Sequence, residues 1–429
     1  MYRRALFVLV ILCQPLSAQL SRTERHIADA VDAGRPAALA LLERAVNINS
    51  GTQNFVGVRA VGDLFAAEYQ RLGFTTRWIE GAAFHRAGHL VAEWRGNGQG
   101  PRVLLIGHLD TVFEEDSPFQ RWVRVNDSTA HGPGAMDMKG GDVIMLLMLK
   151  ALRQAGVLDH LQVTVMLMGD EEDTGNPAAL ARADLVAAAD SADIAIGFED
   201  GDGDLRTAVV GRRGWTSWTL ATTGQAAHSS QIFKPEVGSG AIYEAARILS
   251  AWHDSLAGEP NLTFNPGVIV GGTRITYDDQ ETRGSAFGKP NVVADSVVTT
   301  GDLRTLTLGQ RDSAVERMQR IAARHYPRTD ATVTFAHSSP PFAPTEGNRR
   351  LLAMVDQASR DLGYGPVGPV DPANAGGADI SHVAGRVEMA LDGVGMMGTG
   401  GHTVNETADL RALTIQAKRV GVVLSRLAR

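Results

Sequence analysis

Three apolar runs, each closed by acidic or histidine residues, constrain this chain more than anything else in it. They are "PRVLLIGHLD" (101–110), "LQVTVMLMGDEE" (161–172) and "ADIAIGFED" (192–200). Each is long enough for a strand and too short for a buried helix. Between the first two lies "GGDVIMLLMLKALRQAG", which reads as a helix ending at Gly156. A further helical stretch, "ALARADLVAAA", separates the second run from the third. Apolar strands alternating with helices specify a mostly parallel sheet covered on both faces. In such sheets ligands collect at the carboxyl ends of the strands. Those are the ends where the polar residues sit.

Other segments extend this pattern. Residues 22–49 and 56–72 read as helices before the first strands. Near Gly211 the texture changes to "GWTSWTLATTG", a polar–apolar alternation typical of a half-exposed strand. Helices over 240–256 and 307–324 follow, with strands near 262–277, in "NVVADSVVTTGDLRTL" and in "ATVTFAH". That order is an α+β block with helices on one face of an antiparallel sheet. After "SSPPFAP" the buried α/β texture resumes, with helices over 348–363 and 409–427. The expected organisation is a leader at 1–18, a body at 19–211 and 339–429, and an inserted α+β block of ferredoxin-like type at 212–338.

The leader rests on "MYRRALFVLVILCQPLSAQL": two arginines, a short apolar core, then Ser17-Ala18. This is a Sec-type signal peptide, implying a secreted or periplasmic protein. The apolar run follows Arg3-Arg4 too closely for a twin-arginine signal, and Leu12 before Cys13 is bulky for a lipoprotein site. Cys13 is the single cysteine, so the mature chain has no thiolate ligand or disulfide. Formal charge is −7, and it becomes −9 once Arg3 and Arg4 are removed, with 39 basic against 48 acidic residues. No basic stripe is present, which excludes a nucleic-acid partner. No other segment is apolar enough for stable membrane insertion.

The chemistry lies at the strand ends and in two glycine-rich turns. On a strand, His108 and Asp110 of "GHLDTVF" point the same way. "HGPGAMDMKGG" carries Asp137, "MLMGDEEDTG" carries Glu171 and Glu172, "IAIGFEDGD" carries Glu199 and Asp200, and "GTGGHTVNE" carries His402. Each alone reads as an ordinary cap, turn or solvated loop. Together they bring imidazoles and surplus carboxylates to one sheet edge. Without thiolates that is a hydrolytic zinc set rather than a structural one, and the surplus suits two metals sharing a bridge.

These motifs, in order from 107 to 406, resemble the di-zinc aminoacylase/carboxypeptidase metallopeptidase family, closest to its glutamate carboxypeptidase branch. Desuccinylases of succinyl-diaminopimelate and aminoacylases are other members. The resemblance implies two Zn2+ per subunit, with Co2+ or Mn2+ as substitutes. His108 and Glu199 would hold one metal, Glu172 and His402 the other, and Asp137 would bridge them. Asp200 is the rival for the place of Glu199. Asp110 would orient His108, and Glu171 would be the general base. The resemblance further implies a cis peptide between Asp137 and Met138.

In the inserted block, His228 of "GQAAHSS" resembles a histidine that crosses a dimer interface to the partner's site. Asn291 and Arg304 resemble a pair that holds the substrate's carboxylate, and "GGAD" at 376–379 a substrate-loop segment. Two departures bear on substrate choice. The acidic motif continues "EDTGN" where a Gly-Ser pair is frequent, and residues 198–204 are acidic without the usual proline. The implied activity is a homodimeric exopeptidase acting on small peptides or acyl-glutamate. The alternatives are an N-acyl amino acid deacylase and a catalytically inactive carboxylate-binding homologue.

Overall fold

The computed structural model describes residues 20–279 and 282–429. The leader assigned to residues 1–18 lies outside them. A six-stranded sheet organises the body, in the order Thr75–Glu80, Gly88–Trp94, Gln162–Met168, Arg102–His108, Ile194–Gly197 and Met389–Leu391. Gly88–Trp94 runs antiparallel to both its neighbours, and the remaining pairs are parallel. This is the mostly parallel α/β sheet that the apolar runs specify.

Both faces are covered, which explains why the strands are apolar without a break. Val103 and Leu105 pack into one core with the helices Arg22–Val46, Lys139–Gln154 and Ala412–Leu427. Leu104 and Ile106 point into a second core with Leu185, Ala189, Ile380 and Val383. Side-chain alternation alone sends consecutive residues to opposite cores.

A second, four-stranded sheet is antiparallel throughout: Thr263–Gly272, Ser296–Thr305, Gly214–Thr223 and Asp330–Ser339. Along Gly214–Thr223 burial alternates residue by residue. Its inward face, with Trp218 and Leu220, packs on Ile248 and Trp252 of helix Gly240–Leu256 and Met318 of helix Leu308–Ala322. The two connections to the body lie side by side, joined by reciprocal backbone hydrogen bonds between Arg212 and Phe342.

Two details differ from the sequence expectation. The stretch near 262–277 is two strands, because Arg274–Asp278 folds back on Arg283–Phe287 as a separate hairpin. The helix read through "ALARADLVAAA" breaks at Arg182, between Ala178–Ala181 and Ala183–Asp190.

Candidate active site

His108 ends its strand, and the chain turns so that the carbonyl of Asp110 meets its ring. His108 Nδ1 lies 3.0 Å from Asp110 O. A carbonyl only accepts, so Nδ1 carries the hydrogen and Nε2 is left with a lone pair. The Asp110 carboxylate stands farther from the ring, at 3.5 Å. The ring is therefore oriented by the backbone of Asp110 more than by its side chain. That carboxylate instead accepts from Thr52 Oγ1 at 2.7 Å and from the backbone N–H groups of Glu171 and Glu172, both at 3.1 Å. Asp110 thus fixes the acidic loop against the histidine strand.

Asp137 sits in the glycine-rich turn, and its peptide with Met138 is cis, as the resemblance implies. The turn is held from across the site by Glu406. Its Oε1 accepts the Met136 N–H at 2.8 Å and the Asp137 N–H at 3.3 Å, and its Oε2 accepts the Gly134 N–H at 3.3 Å. Glu406 lies four residues beyond His402, so one loop supplies a donor group and the brace for another. Sequence reasoning missed Glu406, whose only signal is its place in "GGHTVNE". It also missed Lys139. This buried lysine donates from Nζ to Ile48 O at 3.0 Å, and burial lowers its pKa to about 8.

Two three-donor groups share Asp137. His108, Asp137 and Glu199 form one, and Asp137, Glu172 and His402 form the other, with donor atoms in each within 4.8 Å of one another. His108 Nε2 is 3.1 Å from Asp137 Oδ1 and 3.5 Å from Glu199 Oε1. His402 Nε2 is 3.1 Å from both Asp137 Oδ2 and Glu172 Oε2. Glu199, not Asp200, joins His108. Glu171 belongs to neither group and lines the adjoining cleft with Trp215, Asp379 and His382.

The electrostatics ask for a cation. Three carboxylates converge on two imidazoles, and among the described residues no arginine or lysine pairs with Asp137, Glu172 or Glu199. Hydrogen bonds to Asp137 and Glu172 push His402 up to about 11. Burial opposes charge on His108, but Glu199, Asp110 and Asp137 outweigh it and raise its pKa well above the ordinary value. Burial lifts Glu199 and Glu171 well above the usual carboxylate range. Protons on the imidazoles occupy positions where a divalent metal would bind the same lone pairs. Imidazole and carboxylate donors without thiolate suit zinc and its harder relatives.

His228 and Asn291 are not brought to this cluster. Backbone bonds join the Asn291 carbonyl to the Ser229 N–H and place His228 beside Val292. Both sit beyond the end of the four-stranded sheet where Ser296 pairs with Thr223. Arg304 is at the other end, opposite Trp215, a residue of the cleft. Cross-strand partners share a face, so Arg304 and Trp215 project together. Eight residues of strand, roughly 26 Å, separate the level of Ser296 from that of Arg304. The pairing of Asn291 with Arg304 expected from the resemblance is therefore not made within one chain, because a full strand lies between them. Arg304 is engaged by Asp302 at 2.8 Å.

A mostly parallel sheet with this donor set at its carboxyl edge defines a metal-dependent hydrolase. Residues 104–425 match the family model described as peptidase family M20/M25/M40, and the chain belongs to that family. It is 28% identical over 382 residues to carboxypeptidase G2 of Pseudomonas sp. strain RS-16, covering 88% of this chain and 86% of that protein. It is 27% identical over 304 residues to succinyl-diaminopimelate desuccinylase of Leptothrix cholodnii, covering 67% and 73%. In fold it is similar to the crystal structure of aminopeptidase PepT from Bacillus cereus. That match has a TM-score of 0.72 at 18% identity and covers 92% of this chain and 99% of that one. The protein is a metallopeptidase.

Proposed function

We propose that the protein is a di-zinc exopeptidase that hydrolyses the amide next to a free C-terminal carboxylate, in a dipeptide or an acyl-glutamate type substrate. One observation carries this reading: two donor groups share Asp137 while Glu171 stays outside both, at the cleft. A pure binder has no need of such an unengaged base. The pair of metals, when bound, would polarise the scissile carbonyl and acidify a water. His108, Glu199 and Asp137 would hold one ion, and Asp137, Glu172 and His402 the other. Glu171 takes the proton from the attacking water and returns it to the leaving amine. Its buried setting, which raises its pKa, suits a group that must accept and then release a proton. Arg304, on the face shared with Trp215, meets the substrate carboxylate with a planar fork of donors.

His228 and Asn291 act, in this reading, from the partner of a homodimer. Together at the far end of the inserted sheet, they lie too distant for their own cleft. Exposed Phe233, Ile242, Tyr243 and Ile269 mark the surface through which a second copy packs. Among the described residues no helix is long and apolar enough to cross a membrane. Secretion or periplasmic export follows from the leader motif alone. A second reading, N-acyl amino acid deacylation, uses the same machinery and is supported by the desuccinylase relative.

The test is a panel of dipeptides, acyl-glutamates and other N-acyl amino acids, each as free acid and C-terminal amide, offered to zinc-loaded mature protein. Hydrolysis confined to the free acids and abolished by chelator is expected. Equal turnover of acids and amides would overturn the carboxylate requirement. Preference for acyl over peptide substrates would select the deacylase reading.

A further inference from the structure

We propose that Arg182 is a positioning residue for the general base, locking the loop that carries Glu171 and Glu172 to the "GGAD" turn that also lines the cleft. The proposal rests on Glu171 being that base. Arg182 occupies the break between two short helices, and it is 3% exposed. Its guanidinium reaches three places at once. Nη1 donates to Asp170 Oδ1 at 2.6 Å. Nη2 donates to Asp170 O at 3.0 Å and to Thr174 Oγ1 at 3.2 Å. Nε lies 2.7 Å from Asp379 Oδ1.

Asp170 and Thr174 bracket the acidic loop, with Glu171, Glu172 and Asp173 strung between them. One rigid planar group therefore fixes both ends of that loop. Asp379 belongs to the "GGAD" turn, which also lines the cleft. Through Arg182 the loop and the turn become one unit. The hub is braced from below. Asp170 Oδ2 accepts the Gly175 N–H at 2.8 Å. His89 accepts the Gly169 N–H at 3.1 Å and donates to Ala181 O at 2.9 Å. The hydrogen bonds and ion pairs of Arg182 go to Asp170, Thr174 and Asp379 rather than to Glu171 or the five donors, so its hydrogen-bonded hold on them passes through the backbone, beside a through-space attraction to Glu171 that a lysine would keep. A base must lie within hydrogen-bond reach of the proton it takes, and small displacements cost rate steeply.

Lysine keeps the charge but offers a point donor on a flexible stem, which cannot span three partners. Arg182→Lys, Glu171→Gln and the double variant are compared on the metal-loaded enzyme. The readouts are kcat, KM, metal content by elemental analysis, and thermal unfolding. For Arg182→Lys we expect kcat to fall at least tenfold, with KM within about threefold and both metals kept. The double variant should be no slower than Glu171→Gln alone, because a positioning residue has nothing left to position. Wild-type kcat in Arg182→Lys would overturn the proposal, as would losses that multiply in the double variant or that track metal loss. Should Arg182→Lys fail to fold, Thr174→Val and Asp379→Asn remove single arms of the clamp, and unchanged kcat in both would overturn it. If Glu171→Gln itself turns over normally, the base assignment fails instead.

Discussion

Glu171 and Glu172 are adjacent in sequence and, in the proposed reading, opposite in chemistry. Glu172 lies 3.1 Å from His402 Nε2, whereas Glu171 stands clear of both donor groups. Removing each function should therefore read differently. Glu171→Gln is expected to retain both metals and lose about 10²–10⁴-fold in kcat, the scale of a general base. His402→Ala should lose one metal, since it takes an imidazole from one group only. Elemental analysis beside steady-state kinetics decides both, and near-normal turnover by Glu171→Gln would remove it from the mechanism. His382, in the same cleft, supplies a pH signature. Burial, with the nearby Arg182 charge, lowers its pKa from 6.5 to about 4. The unfolded chain then takes up the proton first on acidification. The stabilising effect of a neutral His382 is complete above pH 6.5 and is lost as pH falls towards 4. Thermal melts from pH 7 to pH 4 should show a steeper decline for wild type than for His382→Gln. Parallel slopes would contradict this.

At the scale of elements, the site depends on how closely turns approach strand ends. Gly395 shows it best: a Cβ there would stand 1.7 Å from Phe198 O and 2.9 Å from Glu199 O. Gly395→Ala must push away the strand end that presents Glu199, so weaker binding at the His108–Glu199 side and a lower melting temperature are expected. Glu406→Ala makes the complementary case. It strips the acceptor from three backbone N–H groups of the Asp137 turn without touching a donor atom. Braces of this kind typically change metal affinity by about 10–100-fold, and a competitive metal titration would register it. The same distinction separates what was legible in the sequence from what was not. Val103–Ile106 and Ile194–Ile196 announce buried strands because both of their faces are covered, and their polar ends therefore stand out. The break at Arg182 carries no such signal, because "ALARADLVAAA" holds no glycine or proline, and the ion pairs of Arg182 with Asp170 and Asp379 at the break join residues far apart in sequence. The hairpin of Arg274–Asp278 and Arg283–Phe287 is largely exposed; only Ile275 and Tyr277 alternate towards partial burial, too little to mark where one strand ends and the next begins. The H-x-D spacing pointed to Asp110, but not to its backbone carbonyl as the ring's acceptor.

For the whole molecule, the question is whether one chain holds a complete site. The cleft, the donor groups and Arg304 gather at one end of the inserted sheet, and His228 and Asn291 lie beyond the other. His228 is exposed, its Nδ1 engaged only locally by Ser230. No rotation of a side chain spans a strand of that length. In the proposed two-fold dimer each inserted sheet would carry its far end to the partner's cleft, and the same patch would then serve both copies. There an imidazole N–H would stabilise the developing oxyanion. His228→Ala should fold, bind metals normally and be nearly inactive. Co-expression with Glu171→Ala gives the decisive measurement. Random pairing makes about half the dimers mixed, and in each mixed dimer one site combines an intact Glu171 with the other subunit's intact His228. About a quarter of wild-type activity should return from two inactive parents, and should vanish when the two variants are purified separately and kept from exchanging. A mixture as inactive as its parents would show that His228 does not act across an interface, and full activity in a monomer would show that no partner is needed.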